Sequence, residues 1–199
     1  MTETSIVVPT LKEPAAVVAL LQEIRDTAGC PVSVLATCRQ ASAPVNRNIG
    51  LNWATSPVLL MVDDDITGLP QGWVARMLEV MAQFPQCVMA SPRLMKPDGS
   101  PGIMTGGPRL TTGCEILRGN ELCTACIALR NTELRFDEHF IGSGFEDNDY
   151  CRQLRYKVPG AQFICVHDVK VTHLNEMKNQ HGPYWDHNRP YYLKKWNLA

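Results

Sequence analysis

Val58-Leu-Leu-Met-Val62 runs directly into Asp63-Asp64-Asp65 and Ile66, and the reading of the fold turns on that junction. The five apolar residues suit a buried strand, with Gly68 and Pro70 to end it. Three adjacent carboxylates at the end of such a strand repel one another and tolerate no unpaired burial. A divalent cation removes the conflict. Carboxylates suit Mg²⁺ or Mn²⁺, which phosphate-handling sites hold with one or two carboxylates plus the substrate's phosphates. In an extended segment Asp63 and Asp65 share a side and Asp64 points the other way. Asp65 is therefore expected on the metal, Asp63 on the nucleotide ribose or in the metal shell, and the part of Asp64 stays open. The competing account is a solvated acidic turn that closes the strand.

Working back from this junction, Ser5 to Pro9 reads as a first buried strand stopped by a turn. Pro14 suits a first helical turn, and Val17, Leu20, Leu21 and Ile24 keep helical spacing until Gly29 and Pro31. Val32 to Ala36 is a second strand, which completes a right-handed βαβ unit. Asn46 to Ala54 reads as a helix with Ile49 and Trp53 on one face. Working forward, Trp73, Met77, Val80, Met81 and Phe84 keep helical spacing up to Pro85, and Cys87 to Ala90 is a strand. Alternation of this kind predicts an α/β sheet with its functional loops at the carboxyl ends of the strands. From Pro92 to Gly119 the pattern dissolves into Gly and Pro, which marks a functional loop or lid.

The chain has 199 residues, 45% of them hydrophobic, and a formal net charge of -1. One domain, 1–199, is expected. The charge supplies no overall basic field for nucleic acid or anionic lipid. No apolar run reaches the ~20 residues that cross a bilayer, and the amino end lacks a secretion signal, so a soluble cytoplasmic protein with reduced thiols is expected. Cys123-x-x-Cys126 has a spacing used by zinc and redox sites. Placed in a strand from Leu122 to Leu129, however, the two sulfurs would face opposite ways.

The second acidic stretch is Ile141-Gly-Ser-Gly-Phe-Glu-Asp-Asn-Asp-Tyr150. Ser143 and Glu146 fit a capping box, and acids in a first helical turn favour the helix dipole. Tyr150, Leu154 and Tyr156 would then pack along that helix. Gly142 and Gly144 let backbone and side chains crowd a ligand. A carboxylate at such a rim can take a proton from an attacking hydroxyl, with Asp147 as first candidate and Asp149 and Glu146 behind it. Phe163 to Leu174 reads as an apolar strand pair. His167 is expected to be structural, whereas His173, at the end of the run before Asn175 and Glu176, could complete a shell begun by Asp65.

These residues in this order resemble the family-two glycosyltransferases with the GT-A fold. The likeness runs from Ser5-Ile-Val-Val-Pro-Thr10 through Asn46-Arg-Asn-Ile-Gly50, Asp63-Asp-Asp65, Phe136-Asp-Glu138 and Glu146-Asp-Asn-Asp149 to Val171-Thr-His173. Tyr191-Tyr-Leu-Lys-Lys-Trp196 resembles the segment that closes such domains, so 176–199 is expected as a closing tail and 92–119 as the acceptor floor and lid. The resemblance implies a Rossmann-like, mostly parallel mixed sheet flanked by helices. It implies a nucleotide-diphosphate sugar donor held by Pro9, Thr10, Leu11, Arg39, Arg47, Asp63 and Asp64. It also implies Mn²⁺ or Mg²⁺ on Asp65, His173 and Asp63, and Asp147 as base of an inverting hexosyl or pentosyl transfer. The acceptor, a saccharide or glycoconjugate hydroxyl, would meet Gly144, Phe145, Glu146 and Trp185. One departure stands out: relatives that read uracil place an aspartate at the end of the second strand, where this chain has Leu35-Ala-Thr-Cys-Arg-Gln40. Arg39 or Gln40 would contact the base or phosphates, or line a surface loop. Trp185, Tyr191, Tyr192 and Trp196 either stack on a sugar or pack into the core.

Three other readings compete. The same chemistry could act on a modified base in DNA, although the near-neutral charge argues against it. A nucleotide-sugar binding module without turnover would have no need of Asp147. A nucleotidyltransferase would carry a glycine-rich basic loop where this chain has Leu11-Lys-Glu-Pro14.

Overall fold

Short strands followed by crossover helices dominate the first third of the molecule. The computed structural model describes residues 3–39, 41–102, 110–119, 122–174 and 184–198. The first strand, β1 (Thr4–Pro9), is buried along its whole length and pairs in parallel with β2 (Val32–Thr37) and β3 (Val58–Val62). Between them run α1 (Pro14–Thr27) and α2 (Ala43–Trp53). There follow β4 (Ile66–Thr67), α3 (Trp73–Gln83), β5 (Cys87–Met95), β6 (Cys114–Ile116), β7 (Cys126–Arg130), α4 (Glu146–Lys157), β8 (Gln162–His173) and α5 (Trp185–Lys195).

Among the described residues these elements form an eight-stranded sheet, ordered β2-β1-β3-β7-β5-β8-β4 with β6 also on β8, and five flanking helices. β1, β2, β3, β5 and β8 point one way; β7, β4 and β6 run against them. The sheet is thus mixed and mostly parallel, as expected. Its direction delivers Thr10, Arg39 and Asp63 to one edge, since each follows the carboxyl end of a parallel strand. The antiparallel pairings bring two later segments to the same edge. Val62 is level with Cys126, and Ile66 is level with His173.

The core is built from Ile6, Val7 and Val8 of β1, Leu59 to Val62 of β3, Trp73 and Met77 of α3, and Ile127 to Leu129 of β7, all 2% exposed or less. α2 lies against β1 through Gly50, where an added Cβ would fall 2.0 Å from Val7 Cγ1. The inward residues of this helix are largely polar. Asn46, Arg47 and Asn48 are buried, while Trp53 is 38% exposed, so the expected Ile49–Trp53 face is not the packing face.

Several other expectations are corrected. The strand expected from Leu122 begins only at Cys126, which leaves Cys123 ahead of it. β5 continues past Pro92 to Met95 by a register shift between Pro92 and Arg93, the irregularity at which a strand admits proline. Phe163 to Leu174 is one long strand, β8, rather than a pair; β6 and β4 add to it at either end. On α4, Tyr150 and Leu154 are buried but Tyr156 is 79% exposed, because two positions beyond Leu154 lies off the inward face. Part of the 92–119 loop (103–109), together with Gln40, Asn175 and Glu176, lies outside the described residues. No helix among the described residues is long and apolar enough to cross a membrane.

Gly50→Ala should therefore cost about 1–3 kcal/mol, the usual penalty for overpacking a tight contact. Urea denaturation of the variant would check this, and an unchanged midpoint would contradict the packing of α2 on β1.

Candidate functional site

Asp63, Asp64 and Asp65 occupy a tight turn between β3 and β4, closed by a hydrogen bond from the Ile66 N–H to the Asp63 carbonyl at 3.2 Å. The Asp63 N–H donates to the carbonyl of Ala125 at 2.7 Å, which carries the β3–β7 ladder up to the turn. The backbone turns here instead of running extended, so in place of the expected alternation the three carboxylates meet three different sets of partners. Asp64 faces the β1–α1 loop, where it accepts from the Thr10 hydroxyl and pairs with Lys12 Nζ at 2.9 Å. Lys12 Nζ also donates to the Asp64 carbonyl at 2.8 Å. Asp65 faces His173, with Oδ2 and Nε2 3.4 Å apart and both side chains less than one-fifth exposed. The antiparallel pairing of Ile66 with His173 sets that approach.

Asp63 faces α2. Nη2 of Arg47 reaches both Asp63 oxygens at 3.2 Å, while Nη1 of the same guanidinium donates to Glu146 Oε1 at 2.9 Å. Arg47 thereby ties the first acidic segment to the second. It is 5% exposed and also lies 5.4 Å from the Phe136 ring centroid. Burial works against its charge, but Asp63, Glu146 and Asp147 more than restore it and hold the proton above the ordinary arginine value. Burial pushes the carboxyl of Asp63 up to about 6, opposed by Arg47 and reinforced by Asp65.

Glu146, Asp147 and Asp149 open α4. The expected capping box gives way to another arrangement. Phe145, at φ 69°, is the residue that precedes the helix, and Glu146 Oε2 turns back to accept the Gly144 N–H. Asp149 is fully buried and held by Trp196 Nε1 at 2.8 Å, Lys195 at 2.8 Å and Gln153 at 2.7 Å, which removes it as a candidate base. Glu146 is committed to Arg47 and to the backbone. Asp147 is half-buried at the second position of the helix. The thiol of Cys123, raised first by burial, is raised further by both Asp147 and Asp63, so the two acidic segments share one neighbourhood. Cys126 is raised as well. Burial thus favours the protonated form of both thiols.

The remaining expected site residues spread around this centre. Pro9 is buried at the end of β1 and Leu11 is 56% exposed. Arg39 is exposed, its backbone clamped by the Asn46 side chain. The Trp185 ring packs on Phe145 at 4.8 Å between centroids, and Tyr192 approaches the same ring at 5.2 Å. His167 is buried against Glu115 at 3.1 Å, a structural contact. Sequence reasoning passed over Lys12, although a cation three residues beyond β1 is a natural partner for an acidic turn on the neighbouring strand. It gave no role to Asp137 of the Phe136-Asp-Glu138 stretch, which Lys195 pairs at 2.6 Å and the Tyr191 hydroxyl meets at 2.8 Å. Despite desolvation, these partners and the His139 N–H hold the Asp137 carboxyl well below its usual range.

Among the described residues no three His, Cys, Asp or Glu side chains converge as a closed metal cage. Asp65 and His173 offer one hard oxygen and one imidazole nitrogen, a pair that fits an open Mn²⁺ or Mg²⁺ position completed by diphosphate oxygens and water.

No family model and no curated protein matches the chain by sequence. Solved structures match it by shape. A crystal structure of GalNAc-T7 with UDP, GalNAc and Mn²⁺ superposes with TM-score 0.63 at 13% identity over 98% of this chain, which spans 48% of that protein. S. aureus TarS 1–349 gives 0.59 at 13% identity, covering 87% of this chain and 61% of that one. A197 from STIV gives 0.57 at 12% identity, covering 87% and 86%. The protein has the GT-A nucleotide-sugar transferase fold. It spans about half the length of the first of these neighbours.

Two outcomes are expected. Arg47→Met leaves Glu146 buried without its cation and should cost about 3–5 kcal/mol; denaturation that matches wild type would contradict the bridge. For Asp137 the folded value lies below the ordinary 3.8. Its ion pair is therefore fully stabilising above about that pH and is lost as the pH falls towards the folded value. The stability gap between wild type and Lys195→Met should accordingly be constant from neutrality to mild acid and close in strong acid. Urea midpoints across that range would check it.

Proposed function

We propose that this chain is a metal-dependent, inverting glycosyltransferase of the family-two type that moves a hexosyl or pentosyl group in the cytosol. The donor is a nucleotide-diphosphate sugar and the acceptor a saccharide or glycoconjugate hydroxyl. The carrying observation is the junction of the two acidic segments through Arg47, with Asp65 and His173 on one side and Asp147 on the other, at the carboxyl edge of a GT-A sheet. The neighbour crystallised with UDP and Mn²⁺ supports the same reading.

Asp65 and neutral His173 would hold the cation, which supplies Lewis-acid neutralisation of charge on the departing diphosphate. Asp63, held by Arg47, faces the ribose and the metal shell. Thr10, with Pro9 and Leu11, lines the nucleotide side, while Asp64 and Lys12 brace that loop from the strand end. Arg39, beyond the carboxyl end of β2, would contact the base or phosphates. Asp147 takes the proton of the acceptor hydroxyl as that oxygen attacks the anomeric carbon from the face opposite the diphosphate, which inverts the configuration. Gly144, Phe145, Glu146 and Trp185 form the acceptor side. The described parts of the 92–119 segment would contribute its floor and lid, and α5 (Trp185–Lys195) would close the single domain.

Asp65→Ala should abolish metal-dependent stabilisation by nucleoside diphosphates in a thermal-shift screen. Asp147→Asn should keep that stabilisation and lose about 10²–10⁴-fold in transfer. Full activity of Asp147→Asn would sink the base assignment. Undiminished transfer in excess chelator would remove the metal.

A further inference from the structure

Asn188, on α5, is fully buried and uses its whole amide on the short loop that leads into α4. Its Oδ1 accepts the Ile141 N–H at 3.1 Å, and its Nδ2 donates to the carbonyls of Ile141 and Gly144, both at 2.9 Å. The amide orientation is dictated by these partners, since the flipped side chain would set an oxygen against two carbonyls and a donor against an N–H. The same loop is held from other sides. Its Gly142 carbonyl accepts from the Ala43 N–H at 2.9 Å, and the Gly144 N–H donates to Glu146. The Tyr184 ring lies so close over Gly142 that a Cβ there would fall 2.0 Å from it. Phe145, a non-glycine residue in the left-handed region, has its ring against Trp185 and Tyr192. A strained conformation of this kind persists only where its surroundings over-determine it, and α5 with Tyr184 supplies most of those surroundings.

We propose that Asn188 is a positioning residue for the transfer step: through Ile141 and Gly144 it sets the backbone that carries Asp147. The inference deepens the glycosyltransferase reading and rests on it. A base must sit within about half an ångström of its productive place, and a misplacement of about 1 Å can cost about 10²-fold in rate. The Asn188 amide bonds to the 141–144 backbone on the Asp147 side, so the nucleotide and metal side should be insensitive to it.

The test compares Asn188→Asp with Tyr191→Phe. The first keeps size and the acceptor for Ile141 but turns a carboxylate oxygen on two carbonyls. The second loosens α5 away from α4, by removing the hydroxyl that donates to Asp137. Asn188→Asp should retain Mn²⁺-dependent stabilisation by UDP, lose about 10–100-fold in kcat, and show faster amide exchange at 141–145 with β1 and β3 unchanged. Tyr191→Phe should lower the melting temperature and keep kcat within about twofold. Equal kcat values for the two variants would overturn the inference, as would unchanged exchange at 141–145. If Asn188→Asp does not fold, Asn188→Ala, which removes the contacts without adding charge, carries the same comparison. A wild-type protein that transfers no sugar would overturn the glycosyltransferase reading instead, and the exchange measurement would still decide whether Asn188 orders the loop.

Discussion

One guanidinium, buried between two carboxylates from distant parts of the chain, is the constraint on which the candidate site depends. Arg47 reaches Asp63 at the end of β3 and Glu146 at the start of α4. Without it, two acidic segments would be driven apart by like charge in a partly dehydrated setting. With it, the turn that holds Asp65 and the helix that presents Asp147 are kept as neighbours. Arginine suits this place because its planar fork serves two carboxylates at once and stays charged when desolvated. The price is that α2 buries a polar face, and Asn46 and Asn48 fit that face by bonding to the loops beside it.

The sheet supplies the other half of the arrangement. Parallel β1, β2 and β3 bring their following loops to one edge, where open α/β sheets bind ligands. β7, inserted antiparallel between β3 and β5, brings Cys123 and Ala125 to the base of the acidic turn, and β8 delivers His173 beside Asp65. A second layer of support comes from α5, whose Lys195, Trp196, Tyr191 and Asn188 hold Asp137, Asp149 and the 141–145 loop. The candidate site is thus braced by hydrogen bonds at both acidic segments.

Much of the first half was legible from pattern alone. β1, α1, β2, β3 and α3 fall close to where periodicity and punctuation place them, because each carries a strong apolar repeat bounded by Gly or Pro. The misses have physical causes. Pro92 read as the end of a strand, but a register shift accommodates it. β4 and β6 are too short to show a period. α5 carries Pro190 and no apolar stripe, so its helical state comes from packing on Phe145 and from its ion pairs. The inward face of α2 was misjudged because its buried residues are hydrogen-bonding side chains.

The amino-acid order by itself determined the alternating α/β plan, the acidic end of β3 and the second acidic segment, since these follow from local periodicity and from the cost of clustering like charges. Only the tertiary structure decided which partner each carboxylate meets. Asp149 and Glu146 look alike in the chain. Trp196 and Lys195 reach the first and Arg47 the second across long separations, and burial with a satisfied partner is a property of the folded surroundings, not of the residue.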